Sequence, residues 1–366
     1  MRAGMVETAP VSTLRRFLPR YAPNNYFEDQ STSFHCGGDG ILSVIGNTPL
    51  IRLNRLFKDS PLRLFAKLEG FNPGGSSKDR PAVNIIRGGF ETGLIQPNSV
   101  IVESSSGNLG VGLAQACSYF GLRFICVVDA KTTLQNIRLL ESYGAEVDVV
   151  LDPDPETGEF LPRRLERVKE LVGSVENSFW PNQYGSPYNP LAHHQTMHEI
   201  ATALAGEVDY LLCATSTCGT LRGCVEYMRA REMQTKVIAV DAVGSVIFGG
   251  PNAKRLIPGH GAALRPQLFQ PDLADECVHV TDLDCVVGCR RLARAEAILA
   301  GGSSGAVAMA MDKMRDVIPA GATCVLIFPD RGERYLDTIY SDEWVFEHFG
   351  DVTNLWRDLG ELQNAL

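Results

Sequence analysis

Asn72-Pro73-Gly74-Gly75-Ser76-Ser77-Lys78-Asp79-Arg80 is the stretch on which the reading of this chain turns. It follows a short β-type run at 64–68 and precedes an amphipathic helical pattern over 79–93, so it is a strand-to-helix handover made of turn residues. In sheets wound with helices on both faces, ligands bind outside the carboxyl ends of strands. A primary amine held at the mouth of a helix can form a Schiff base with a carbonyl compound. A solvated lysine at a helix start has the same local pattern, so the company of Lys78 has to decide its role.

That company is an alternation. Strand-like apolar runs stand at 64–68, 100–103, 122–128, 146–151, 210–214, 236–241 and 323–328. Helical patterns lie between them at 79–93, 109–120, 134–143, 163–172, 194–205, 221–233, 286–299 and 306–317. Such alternation predicts βαβ units and parallel sheets covered on both faces, an α/β fold. A Pro/Asn/Gly-rich stretch over 181–190 is the expected domain junction. Residues 1–40 carry Pro10, Pro19, Pro23 and the pair Arg15-Arg16 without a sustained period, and read as an appended arm.

Composition narrows the class. A length of 366 residues suits about two domains. Hydrophobic content of 45% and charged content of 21% are ordinary for a soluble globular enzyme. A formal net charge of -9 without a Lys/Arg block argues against nucleic acid or an anionic membrane as partner. No apolar run approaches the ~20 residues of a membrane span, and no signal-peptide core is seen. The 10 cysteines are scattered, with Cys285 and Cys289 the closest pair. That spacing predicts reduced thiols and a cytoplasmic location, with no disulfide frame and no zinc site.

Three further loops sit where a strand yields to a helix. Ser104-Ser105-Ser106-Gly107-Asn108-Leu109-Gly110 offers hydroxyls and exposed amides that suit a carboxylate, and Asn108 can bond a ring oxygen. Thr215-Ser216-Thr217-Cys218-Gly219-Thr220 offers backbone N–H groups and hydroxyls that would cradle a phosphate. Gly301-Gly302-Ser303-Ser304-Gly305-Ala306 is a turn opening a helix. Any one of them could be ordinary helix capping. Together with a lysine loop in one βα chain, they point to a bound cofactor.

The ordered set resembles the cysteine synthase and cystathionine β-synthase family, fold-type II pyridoxal-phosphate (PLP) enzymes. The match runs from about residue 41 to 340. It includes Ile45-Gly46-Asn47-Thr48-Pro49-Leu50, the Lys78 stretch, Ser106-Gly107-Asn108, Asn182-Gln183-Tyr184, the 301–306 loop and Pro329-Asp330-Arg331-Gly332-Glu333-Arg334-Tyr335. The resemblance implies two three-layer α/β domains with mostly parallel sheets and the cofactor in the cleft. A small mobile domain would span 76–184, and a large one 41–75 with 186–345. Residues 346–366 would form a tail. It further implies that Lys78 holds PLP and moves the Cα proton, that Asn108 meets the ring hydroxyl, and that Ser303 meets the pyridine nitrogen. Ser216, Thr217, Cys218, Gly219 and Thr220 would hold the phosphate. Ser104, Ser105, Ser106, Gly107, Asn108, Gln183 and Tyr184 would receive substrate. A serine at the pyridine nitrogen, in place of an acid, favours β-elimination and replacement over transamination. The implied reaction is β-replacement by a homodimeric transferase.

The chain departs from typical cysteine synthases. Their phosphate loop reads Gly-Thr-Gly-Gly-Thr, where this chain has Ser216 and Cys218 at two glycine positions. Ser105 and Leu109 replace two usual threonines, and His260 stands in a segment that lines the entrance in relatives. The serine-started loop and Tyr184 resemble a narrower branch, the N-(2-amino-2-carboxyethyl)-L-glutamate synthases, which serve 2,3-diaminopropionate supply in siderophore and peptide-antibiotic pathways. Those enzymes join O-phospho-L-serine to L-glutamate, and an NAD-dependent enzyme then oxidises the product. A phosphate leaving group and a dicarboxylate nucleophile call for cations, with Arg222 the first candidate and Lys131, Arg138 and Arg255 behind it. A cysteine synthase using sulfide, or a PLP-fold binding scaffold without activity, are the competing readings. His194 and His198 share a helix face at metal-ligand spacing, but no Glu stands between them as a metalloprotease requires, and no metal is expected.

Overall fold

The computed structural model describes residues 40–155 and 158–357. The arm read over 1–40 lies outside them except for Gly40, as does the chain after 357. In chain order come β1 (Leu50–Arg52), β2 (Arg63–Leu68), α1 (Asp79–Glu91), β3 (Val100–Ser104), α2 (Asn108–Phe120), β4 (Arg123–Asp129), α3 (Leu134–Ser142), β5 (Glu146–Val150) and α4 (Phe160–Ser174). They are followed by β6 (Ser178–Phe179), α5 (Tyr188–Ala203), β7 (Tyr210–Ala214), α6 (Gly219–Ala230), β8 (Lys236–Ala242), β9 (Glu276–Val280), α7 (Asp282–Glu296), α8 (Gly302–Met314), β10 (Thr323–Phe328), α9 (Asp342–Phe349) and α10 (Asn354–Arg357).

The strands form two sheets. One is 6-stranded in the order β1-β2-β10-β7-β8-β9; the other is 4-stranded in the order β5-β4-β3-β6. Every pairing is parallel except β1 with β2. Strands buried on both faces need apolar residues at every position, and β10 (Thr-Cys-Val-Leu-Ile-Phe) is buried throughout. Its alternate residues feed separate cores: Cys324, Leu326 and Phe328 pack in one cluster, Val325 and Ile327 in another. In the smaller sheet Ile101 packs with α1 and α2, while Val100 and Val102 face Val168 of α4. Helices therefore cover both faces of each sheet, the α/β arrangement expected.

The elements not foreseen are short or unpatterned. β1 and β6 have 3 and 2 residues, too few to show a period. The stretch read as a tail from 346 is folded as far as Arg357: Trp356 is buried, with the Arg290 guanidinium over its ring. α1 also joins the two halves. Its Ala82, Val83 and Ile86 lie in the core of the smaller sheet, yet Asn84 Nδ2 donates to Tyr188 O at 2.7 Å on α5. Between β8 and β9 runs a long connection without regular structure, fastened by Gly261 N to Thr215 O (2.8 Å) and Leu268 N to Tyr184 O (3.2 Å). Loops of that length inside a compact fold are commonly functional.

Candidate active site

Lys78 stands at the N-cap of α1, half-buried, in a loop that Gly75 turns with φ +85°. Ser77 N donates to Pro329 O (2.7 Å), and Ser76 bridges Asp330, so the lysine loop is fixed to the end of β10. Among the described residues the Lys78 amine has no hydrogen-bond partner. Burial lowers its pKa, and the Asp330 carboxylate is the leading charge acting the other way. An amine shifted this way gives up its proton more readily than an exposed lysine, and the neutral form is the one that attacks a carbonyl or takes a proton.

The starts of α2 and α8 are tied to the lysine loop through Asp330, and that of α6 is tied to the Gln183 segment through Asn189. α2 begins after Gly107, α6 after Cys218 and α8 after Gly301; none of these three residues caps its helix with a side chain, though Ser105 Oγ takes Gly110 N in α2 and Thr217 Oγ1 takes Gly219 N in α6. An uncapped helix N-terminus leaves N–H groups for an anion. At α6 the cradle is built from the main chain. Cys218 adopts φ 64°, Gly219 N donates to Thr217 Oγ1 (3.2 Å), and a Cβ on Gly219 would run into the Asn189 carboxamide. Asn189 Nδ2 reaches Thr217 Oγ1 (3.3 Å) and Gln183 O (2.8 Å), joining this loop to the Gln183 segment. His193 Nε2 lies 3.2 Å from Thr220 Oγ1 and its Nδ1 3.1 Å from Thr196 Oγ1. These are features a cofactor with a phosphate, a ring and a carbonyl carbon would use: a helix start, a buried cradle and an amine without a hydrogen-bond partner among the described residues.

The loop before α2 is held from beneath by Glu103. Its carboxylate accepts from Ser104 N (2.8 Å), Trp180 Nε1 (3.1 Å) and Gln183 N (3.1 Å), and burial pushes its pKa up to about 7. Gln183 Nε2 donates to Ser104 O (3.2 Å), and Ser105 Oγ accepts from Gly110 N (2.9 Å). Ser106 Oγ accepts from Arg164 Nη1 (3.1 Å), and the same guanidinium faces Asp129 at 3.3 Å. Ser104 Oγ is buried without a partner among the described residues. Asn108 Nδ2 donates to Asp330 Oδ2 (2.8 Å), and its Oδ1 accepts from Arg334.

The chain matches the model of the pyridoxal-phosphate dependent enzymes over residues 41–330. It belongs to that family. Two relatives are named N-(2-amino-2-carboxyethyl)-L-glutamate synthase. The one from Ralstonia nicotianae is 45% identical over 306 residues, 83% of this chain and 90% of its own. The one from Cupriavidus metallidurans is 43% identical over 311 residues, 84% and 91% of the two chains. Among solved structures, a cysteine synthase from Entamoeba histolytica superposes with a TM-score of 0.79 at 31% identity, covering 91% of this chain and 98% of its own. The protein is thus an enzyme whose cofactor is pyridoxal phosphate.

Within the family's architecture, the fold brings together Lys78, the 104–108 loop, Gln183, the 216–220 loop and Ser303, the last buried in the first turn of α8. Tyr184 is half-buried and feels the charge of Arg164. Arg222 donates to Glu226 Oε1 (2.7 Å), one turn on along its own helix. Lys131 and Arg138 are exposed, and the Arg255 guanidinium holds Gly244 O inside the 243–275 connection. Two other cations reach the 104–108 loop: Arg164, on a helix that gave no motif, at Ser106, and Arg334 at Asn108. His260 is buried with both ring nitrogens unpartnered among the described residues, and burial lowers its pKa to about 4. His194 pairs with Glu226 and His198 with Tyr227.

Sequence reading also missed a buried ionic quartet. Arg80 donates to Glu69 (2.6 and 2.8 Å) and Glu199 (2.7 and 2.8 Å), while Lys67 Nζ donates to Glu199 and to Thr48 O, each at 2.5 Å. Thr48 Oγ1 donates to Glu69 (2.6 Å) and Asn47 N to Glu199 (2.8 Å), so the 45–49 turn is tied in as well. Arg80 and Glu199 are 119 residues apart, which no local motif could report.

Proposed function

We propose that the enzyme joins O-phospho-L-serine to the amino group of L-glutamate, giving N-(2-amino-2-carboxyethyl)-L-glutamate and phosphate. The similarity to two relatives of that name, at 45% and 43% identity over most of each chain, carries the reading. Pyridoxal phosphate supplies an electron sink that stabilises negative charge at Cα. The residues supply the rest. The Lys78 amine takes the Cα proton of phosphoserine and later returns it. The Cβ–O bond breaks with its electron pair leaving on phosphate, and a Cβ–N bond forms as the glutamate nitrogen gives up a proton. Backbone N–H groups at the start of α2, with Ser105, Ser106 and Gln183, receive the amino acid's carboxylate. Asn108 and Ser303 meet the cofactor's ring, and the loop from Ser216 to Thr220 holds its phosphate. Arg164, beside Ser106, supplies a cation for the leaving phosphate or for a glutamate carboxylate.

A cysteine synthase reading is supported by the Entamoeba structure, but at 31% identity against 45% for the relatives above. The purified yellow protein separates the two. With phosphoserine and glutamate, mass analysis should find a secondary-amine product and equimolar phosphate. Cysteine formed with sulfide, and no coupled product with glutamate, would overturn the proposal. Three finer readings rest on the family resemblance: a homodimer with one site per protomer, a cytoplasmic setting, and closure of residues 76–184 over bound substrate. The product's secondary amine suits oxidation by an NAD-dependent enzyme.

A further inference from the structure

We propose that Asp330 and Arg334 form a clamp that fixes which way round the Asn108 carboxamide faces, so that Asn108 acts as a hydrogen-bond donor to the cofactor's ring oxygen. This rests on the placement of Asn108 beside the ring given above.

A carboxamide is nearly symmetric in shape but not in chemistry: one end donates twice and the other only accepts. Here the two ends meet groups of fixed polarity. Nδ2 donates to Asp330 Oδ2 at 2.8 Å, and Oδ1 accepts from the Arg334 guanidinium. A guanidinium cannot accept, so turning the amide over would set its N–H groups against Arg334 and its oxygen against the carboxylate. The Arg334 bond is charge-assisted, Asp330 Oδ2 accepts from Tyr335 Oη as well as from Asn108, and Asp330 is only 4% exposed, so water compensates little.

The clamp is itself immobilised. Tyr335 Oη donates to Asp330 Oδ2 (2.6 Å), and Arg334 Nη2 donates to Gly74 O (2.6 Å) in the lysine loop. Gly301 N donates to Asp330 O (3.2 Å) just ahead of Ser303, and any Cβ on Gly301 would collide with the Asp330 carboxylate. Asp330 is thus fixed relative to Lys78, Asn108 and Ser303. With one N–H of Nδ2 taken by Asp330, the other is the donor the amide can offer a ligand. A donor at the ring oxygen favours its anionic form; an acceptor there would favour the neutral hydroxyl.

Absorbance of the bound cofactor reads this directly, because the anionic ring absorbs at longer wavelength than the neutral hydroxyl form. Holoenzyme spectra of wild type, Arg334→Met, Asp330→Asn, the double variant, Arg334→Lys and Asn108→Ala make the test. Arg334→Met should raise the near-ultraviolet fraction relative to the long-wavelength band about tenfold or more, the factor for one lost bond to a charged group. Asp330→Asn should raise it less, and the double variant should fall short of the product of the two, since both act on one amide. Arg334→Lys, still a donor, should restore most of the wild-type ratio. A merely structural role predicts cofactor loss without a change of ratio and no rescue by lysine. A wild-type ratio in both single variants, with an altered one in Asn108→Ala, overturns the clamp alone. A wild-type ratio in Asn108→Ala overturns the placement of Asn108 at the ring, and the clamp with it. Should Arg334→Met not fold, Asp330→Asn, equal in size, carries the comparison.

Discussion

Lys78 and Arg80 stand two residues apart at the start of one helix, the first half-buried and the second buried, and their surroundings could hardly differ more. Arg80 is matched by two carboxylates on separate elements, within a quartet of two cations and two anions whose bonds are nearly all made. The Lys78 amine has no hydrogen bond or ion pair among the described residues, and the Asp330 carboxylate acts on it through its charge alone. Electrostatics responds accordingly: Glu69 and Glu199 are held below the usual carboxylate range by their cationic partners against the pull of burial, whereas burial lowers Lys78. A compensated charge in a low-dielectric interior is a structural joint; an uncompensated one is a reagent. The helix carries both because the joint fixes the position of the reagent.

Removing the reagent should have the largest effect and leave the joint intact. Lys78→Ala is expected to fold, to lose the absorbance of the lysine-bound cofactor and to lose turnover by about 10⁴-fold or more. Turnover within about tenfold of wild type in that variant would refute the assignment of Lys78. Removing the joint should act on stability first. Arg80→Met leaves two buried carboxylates facing one lysine, and about 3–5 kcal/mol of unfolding free energy should be lost in a denaturant titration. If Arg80→Met were as stable as wild type, the quartet would be no joint, and the contrast between the two cations would fail.

The two environments were unequally legible in the sequence. Lys78 and the three glycine-rich loops are contiguous motifs, and β7 and β10 matched their apolar runs from end to end because parallel strands buried on both faces admit little else. The partners of those motifs come from afar. Asp330 and Arg334 meet Asn108 across more than 220 residues, and Arg164 meets Ser106 across 58. Arg222 follows the phosphate loop, and the Glu226 that engages it stands at i,i+4, a pairing readable from the sequence. β9 (Glu-Cys-Val-His-Val) was hidden by a long irregular connection before it and by an exposed edge with one fully buried residue.

The contrast can be sharpened by pH, because the two regions respond with opposite signs. In the quartet the carboxylates have lowered folded pKa values, so their stabilisation is present above the unfolded value of ~4.3 and is lost as pH falls through the folded values. Beside the site, Glu103 and Asp79 are each raised to about 7 by burial. There the folded protein keeps protons that the unfolded chain has released, so stability falls as pH rises from ~4.3 to about 7. Glu103→Gln removes one such group. Its unfolding free energy, measured against wild type, should gain about 3 kcal/mol between pH 4.5 and 8. A difference flat across that range would show that Glu103 is ionised throughout and belongs with the compensated carboxylates.

The site departs from the joint in its backbone as well. Cys218 holds φ 64°, a left-handed conformation that costs a residue with a Cβ about 1–2 kcal/mol. Next to it Gly219 cannot carry a Cβ at all, because the Asn189 carboxamide fills the space. The cradle is therefore shaped by main chain, and the thiol is a buried passenger whose pKa burial pushes up to about 12. Cys218→Gly relieves the strain but frees the unfolded chain and removes buried apolar surface, terms of about 0.5–1 kcal/mol each. The net change in stability should be below about 1 kcal/mol, and cofactor affinity in an equilibrium titration should stay within about threefold of wild type. A Cys218→Gly enzyme that released its cofactor would mean the side chain, not the backbone, holds the cradle in shape. The left-handed cysteine would then be as closely fitted as Arg80 is to its quartet.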